Sequence, residues 1–269
     1  MRQPGRLVLL GHPVGHSLSP RIHNAALSDA GIPLRYEALD VEPRRFDETL
    51  EMLRAERAAG NVTVPHKERM FAACDVLTPL ARRVGAVNVF WTDDDGRLVG
   101  DNTDVGGFDA AVTQFLGQRP TDLSVGVLGA GGAAAAVLAA VEGWAGCVAH
   151  VYNRTPERAR LLCERFSAVA HPVDDVGVIA GAQLVVNATS IGLKDDGVPV
   201  DPFLIPRDAA VIDLVYRPGE TNFVRALRGR GNRATDGIGM LVEQAALAFE
   251  TWFGIAPSRE LMHEALLAS

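Results

Sequence analysis

The chain has 269 residues, 48% hydrophobic and 22% charged, a soluble globular composition with enough length for about two domains. A net charge of -7 argues against broad nucleic-acid or membrane-surface binding, which needs a surplus of Lys and Arg on one face. Cys74, Cys147 and Cys163 are odd in number and match no zinc spacing, and no H-E-x-x-H occurs, so reduced thiols in the cytoplasm and no metal site are expected.

Short apolar runs at residues 7–10, 36–41, 87–91, 125–128, 148–152, 184–186 and 211–215 alternate with helix-length segments. This rhythm predicts an α/β protein of largely parallel sheets with ligands at the carboxyl ends of strands. The N-terminus reaches charged or turn residues too soon for a signal peptide. After the first run comes GHPVGHSLSPRIHN from Gly11, with Pro20 placed to start a helix. Ser19 reads either as that helix's cap or, with Ser17, as a hydroxyl donor to a substrate carboxylate. His12, His16 and His23 read as structural, satisfied near their turns.

The run NVTVPHK ends at Lys67, which Pro65 puts in the first turn of a helix. The positive end of the helix dipole opposes a cation there by a few tenths to about 1 kcal/mol, so structure alone would not choose lysine. A hairpin turning at residues 94–96 is followed by a domain boundary near residues 100–103 and then a helix over 104–116. Val105, Phe108, Val112, Phe115 and Leu116 give that helix an apolar face. Asp104 lies in its first turn, where an acid is favourable without catalytic duty, and it gains a proton-transfer reading only beside Lys67.

Residues 125–137 read VGVLGAGGAAAAV: a strand, then Gly129, Gly131 and Ala134 spaced G-x-G-x-x-A, then an alanine-rich helix. Residues 123–141 are uncharged but broken by this turn, so they read as strand plus helix, not a membrane span. Gly129 permits the tight turn, Gly131 a close approach to pyrophosphate, and the helix amides face the phosphates. NAD sites usually carry an acid about 20 residues on, at the next strand's end. This chain has Asn153, Arg154 and Thr155 there, which favours NADP, because Arg154 can pair with a 2′-phosphate. Thr155 also suits a cap for a helix from Pro156, Arg160 reads as solvated, and Arg158 is a secondary phosphate candidate. A second domain crossing is expected near residues 235–239, followed by helices over 238–253 and 258–267 that return to the first domain. Gln244 lies on an apolar stripe and needs a buried partner, either a substrate hydroxyl or a backbone group.

In consistent order over nearly the whole chain, these segments resemble the shikimate dehydrogenase family. The matching pieces are GHPVGHSLSPRIHN, GNVTVPHK at Gly60, GAVN at Gly85, DNTDVGGF at Asp101, GAGGAAAAV at Gly129, NRTPERA at Asn153, NATSIGL at Asn187, DLVYRPGET at Asp213 and GIGMLVEQA at Gly237. One departure is Val89, where the family often has Thr after GAVN.

The resemblance implies two α/β domains: a substrate domain of residues 1–102 and 239–269 with a mainly parallel sheet, and a Rossmann-type NADP-binding domain of residues 103–238. It places the active site in the cleft between them. It implies NADPH-dependent, reversible reduction of 3-dehydroshikimate to shikimate, a step of aromatic amino-acid and chorismate biosynthesis. Lys67 would be the central acid/base with Asp104. Ser17, Ser19 and Tyr216 would hold the carboxylate, and Asn61, Thr63, Asn88, Asp104 and Gln244 the ring hydroxyls. Gly129, Ala130, Gly131, Gly132 and Ala133 would take the pyrophosphate, and Asn153, Arg154, Thr155 and Arg158 the adenosine phosphate. Thr189, Leu214 and Gly237 would complete the cofactor contacts. Alternatives are a quinate/shikimate dehydrogenase using NAD and a catalytically silent shikimate-sensing regulator. Partners are then a small molecule, with no nucleic acid or membrane, and either a monomer or a homodimer fits.

Overall fold

The computed structural model describes residues 3–217 and 219–267. It divides into two compact units, Met1–Gly107 with Leu241–Ser269, and Phe108–Met240. The first unit opens with β1 (Leu7–Gly11), α1 (Ser19–Asp29), β2 (Tyr36–Asp40), α2 (Phe46–Ala55), β3 (Ala59–Val62), α3 (Lys67–Ala73), β4 (Val76–Leu77), α4 (Pro79–Val84), β5 (Val89–Thr92) and β6 (Leu98–Asp101). Next comes α5 (Asp104–Leu116). The second unit holds β7 (Ser124–Leu128), α6 (Gly132–Glu142), β8 (Val148–Tyr152), α7 (Pro156–Arg165), β9 (Ala170–Val173), β10 (Leu184–Asn187), β11 (Ala210–Asp213), α8 (Asn222–Gly229) and β12 (Ala234–Thr235). The chain ends in α9 (Ile238–Phe253) and α10 (Arg259–Leu267). Both unit boundaries fall inside helices, after Gly107 in α5 and after Met240 in α9.

The sheet of the first unit runs β2-β1-β3-β5-β6-β4. β1 is parallel to β2 and β3, and β4 to β6, while β5 runs antiparallel between β3 and β6. That one reversal brings the amino end of β5 beside the carboxyl ends of β3 and β6. One face of the sheet is buried by Val8, Leu10, Phe46, Leu53, Met70 and Phe90. α1 packs against α10, whose Met262 is fully buried, so the C-terminal segment closes this core.

The second sheet runs β12-β11-β10-β7-β8-β9, every pairing parallel. Its central strands are buried along their whole apolar length, as a sheet covered on both faces requires. Phe223, Val224 and Leu227 of the amphipathic α8 pack with Val185, Val211 and Ile205 in its core.

The predicted helices over 104–116 and 238–253 form with those bounds, and the last begins one residue later than expected. Ser258 is instead its cap, its hydroxyl accepting from Leu261 N at 3.2 Å. β3, β4, β9 and β12 were not among the predicted strands. β3 reads AGNV, a segment of low strand propensity made into a strand by pairing with β1 and β5 on its two sides.

Candidate active site

At the carboxyl edge of the first sheet, polar side chains replace the apolar ones of the strands. β3 turns through Val64–Pro65, a cis peptide, into α3, whose first residue is Lys67. Lys67 Nζ lies 2.5 Å from Asp104 Oδ2, with the two side chains only 19% and 7% exposed. Helix capping does not account for Asp104. Asn102 supplies the side-chain acceptor, its Oδ1 taking Asp104 N at 3.1 Å, and so leaves the Asp104 carboxylate for other partners.

Asn88, just ahead of β5, is the second partner of that carboxylate: its Nδ2 donates to Asp104 Oδ1 at 2.7 Å. Its own Oδ1 accepts from Thr103 N at 2.7 Å, which fixes the amide's orientation, since a backbone N–H can only donate. Gln244 of α9 completes the group. Its Nε2 donates to Leu241 O at 2.8 Å and its Oε1 sits 3.5 Å from Asn88 Nδ2. The buried partner expected for Gln244 is thus a backbone carbonyl, with its amide oxygen turned toward Asn88. Asn61 in β3 donates through Nδ2 to Asn88 O at 3.2 Å, and Thr63 N is held by Leu10 O at 2.8 Å.

The structure therefore joins Lys67, Asp104, Asn88, Asn61 and Gln244 into one hydrogen-bonded group. Ser17 and Ser19 stand apart from it at the carboxyl end of β1, linked by Ser19 N donating to Ser17 Oγ at 3.2 Å. Ser19 is not the cap of α1: the cap position is Leu18, with no side-chain bond, and Ser19 is the first helical residue. His12 meets Asp40 at 2.6 Å. His23 is structural, but not by being satisfied near a turn. It is fully buried on α1 with neither ring nitrogen hydrogen-bonded at ordinary geometry, and burial lowers its pKa to about 3, against a smaller upward pull from Asn61.

In the second unit, Gly129 follows β7 with φ +109° and its N–H on Tyr152 O at 2.8 Å. A Cβ there would lie 2.9 Å from Ala188 O, so only glycine lets the turn pass the end of β10. Ala130, Gly131, Gly132 and Ala133 lead into α6, whose cap, Gly131, brings no side-chain acceptor to the first-turn amides. Asn153 Nδ2 donates to Thr155 O at 2.8 Å. Thr155 holds the cap position of α7 without a side-chain bond, contrary to its expected capping role. Arg154 and Arg158 are exposed, whereas Arg160 is occupied by Asp174 at 3.0 Å. Tyr216 is half-buried.

Two residues not singled out as site residues from the sequence organise the carboxyl end of the second sheet. Asp213, fully buried at the end of β11, accepts from Asn187 Nδ2 at 2.7 Å, Thr221 Oγ1 at 2.7 Å and Val215 N at 3.1 Å. Burial pushes its carboxyl up, against the lowering effect of those three bonds. Asn187 in turn accepts from Thr189 N at 3.0 Å and Thr189 Oγ1 at 2.7 Å, while its carbonyl takes Leu214 N at 2.9 Å. Gly237 N donates to Val215 O at 3.2 Å. The available signal was a charged residue closing the apolar run AVID. Among the described residues no three side chains gather as a metal site, and no helix is long and apolar enough to cross a membrane.

An all-parallel sheet with a glycine turn after β7, in a chain that also pairs a half-buried lysine with a buried aspartate, is the make-up of a two-unit α/β dehydrogenase. A family model described as the shikimate dehydrogenase substrate binding domain matches residues 9–90, and one described as the shikimate 5′-dehydrogenase C-terminal domain matches residues 237–267. The shikimate dehydrogenase (NADP(+)) of Methylobacterium radiotolerans is 44% identical over 94% of this chain and 92% of its own. A crystal structure of the Thermus thermophilus shikimate 5-dehydrogenase with NADP(H) and shikimate superposes with TM-score 0.87 at 42% identity, covering 97% of each chain. The shikimate dehydrogenase of Aquifex aeolicus gives TM-score 0.91 at 33% identity over 98% of each. The chain belongs to the shikimate dehydrogenase family.

Proposed function

We propose that this protein is an NADP-dependent shikimate dehydrogenase, reducing the 3-keto group of 3-dehydroshikimate to shikimate and running the reverse reaction. The observation that carries the reading is the Lys67–Asp104 pair at 2.5 Å, its lysine half-buried and its aspartate buried, in a chain whose relatives bear that name. A substrate keto oxygen that becomes an alkoxide needs a proton, and Lys67 Nζ is the donor at hand. Asp104 holds the lysine on one carboxylate oxygen while Asn88 fixes the other, so the proton donor is aligned before substrate arrives. Ser17 and Ser19 are proposed to bind the carboxylate, and Asn61, Thr63, Asn88 and Gln244 the ring hydroxyls.

The second unit has the chemistry NADP needs. Gly129 leaves space that a Cβ would fill, α6 presents first-turn amides without a side-chain cap, and Arg154 is exposed where an NAD site usually has an acid. When bound, NADPH supplies the hydride for the keto carbon. Arg154, aided by Arg158 and the amide of Asn153, would hold the 2′-phosphate, and Gly129 to Ala133 the pyrophosphate. Thr189, Leu214 and Gly237 are proposed for the rest of the cofactor, on loops that Asp213 and Asn187 pin in place. Three free cysteines support a cytoplasmic setting.

Following NADP+ reduction with shikimate, then with quinate and with NAD+, tests substrate and cofactor together. Turnover is expected with shikimate and NADP+ and to be much slower in the other combinations. No turnover with shikimate and NADP+, or equal rates with quinate and NAD+, overturns the reading.

A further inference from the structure

The motif GHPVGHSLSPRIHN ends in His23 and Asn24, two residues that the proposed chemistry does not use. Both serve Tyr36. Asn24 Oδ1 accepts from Tyr36 N at 2.9 Å and Asn24 Nδ2 donates to Tyr36 O at 3.0 Å, so one side chain clamps both backbone groups of that residue. The Tyr36 ring stacks on His23 at 4.3 Å between centroids and 19° between planes, and Trp252 of α9 stands 6.1 Å away. The ring is 1% exposed. The phenol reaches across β1 and donates to Asn61 Oδ1 at 2.7 Å.

The orientation of Asn61 follows from its two partners. Asn88 O is a backbone carbonyl and can only accept, so the Asn61 atom facing it at 3.2 Å is the NH2 group. The oxygen of Asn61 then faces the phenol. One amide hydrogen is used on Asn88 O, and the second is left to donate. We propose that Tyr36 is a positioning residue that locks Asn61 as a hydrogen-bond donor to a shikimate hydroxyl, through a fixed line from the His23–Tyr36 stack to Asn61 and Asn88. This rests on the function proposed above.

The hydroxyl is the part of Tyr36 that meets Asn61, and the ring is the part that stacks on His23, so Tyr36→Phe keeps the stack and removes the lock. Losing it leaves the Asn61 oxygen buried without its donor and lets the amide turn. KM for shikimate is expected to rise about tenfold, with KM for NADP+ changing less than about twofold. In an Asn61→Ala background, Tyr36→Phe is expected to add nothing further, because the tyrosine acts through that amide. A merely structural role would instead move both KM values, or give additive effects, and either result overturns the proposal.

A measurement on the unaltered enzyme stands beside the variants. The two Asn61 side-chain amide protons are expected as distinct NMR signals, only one of which shifts when shikimate is added. Movement of both, or of neither, overturns the proposal. If the unaltered enzyme does not turn over shikimate, the function falls and this inference with it. If it does, and Tyr36→Phe behaves as wild type, this inference alone falls.

Discussion

Lys67 occupies a first helical turn that disfavours a cation, and what holds it there is the Asp104 carboxylate, buried beneath it and braced by Asn88. Lys67→Ala is therefore expected to depress kcat by about 10² to 10⁴ while KM for shikimate moves little, in steady-state assays. Near-normal turnover would remove Lys67 from the proton-transfer role. Arg154 lies at the opposite extreme, exposed at the end of β8. Arg154→Ala is expected to raise KM for NADPH by about tenfold or more and to leave NADH use unchanged, and equal loss with both cofactors would refute the phosphate contact. Both residues stand out in sequence because each is a cation without a structural reason to be where it is, and the structure pairs Lys67 with Asp104 and leaves Arg154 exposed. Tyr36 and Asp213 do not stand out. A tyrosine opening a strand and an acid closing one look ordinary until burial shows what surrounds them.

Among the elements, α5 and α9 approach most closely where the first unit needs them to. A Cβ on Gly107 would lie 2.6 Å from Gln244 Cβ and 2.7 Å from its backbone N, atoms that cannot swing away. Gly107→Ala is expected to push the helices apart, costing about 1–3 kcal/mol, and to raise KM for shikimate because Gln244 moves with α9. Urea unfolding and kinetics check the two parts, and a variant of unchanged stability would show that the contact yields. α5 and α9 could be read from sequence to the residue because their apolar stripes run long. The short strands could not. β3 contains Gly60 and Asn61 and becomes a strand only between β1 and β5, while β4 and β12 are two residues each.

For the molecule as a whole, acid should act early through His23. Its folded pKa, lowered to about 3 from 6.5 by burial, means that the unfolded chain binds one more proton than the fold between those values. Stability from this group is complete above pH 6.5 and is lost as pH falls toward 3, with a slope of about 1.4 kcal/mol per pH unit. His23→Phe removes the titration, so its unfolding free energy, followed by urea titration between pH 4.5 and 6.5, is expected to fall with pH less steeply than wild type. Equal slopes would place the acid sensitivity elsewhere. The first unit is also discontinuous: Trp252 beside Tyr36, Gln244 beside Asn88 and Met262 under α1 all come from after residue 240. During synthesis the ribosome has released every residue of the second unit before it releases these, although most of the first unit was made earlier. The contacts that Trp252, Gln244 and Met262 make can form only then, so the unit begun first is the one finished last.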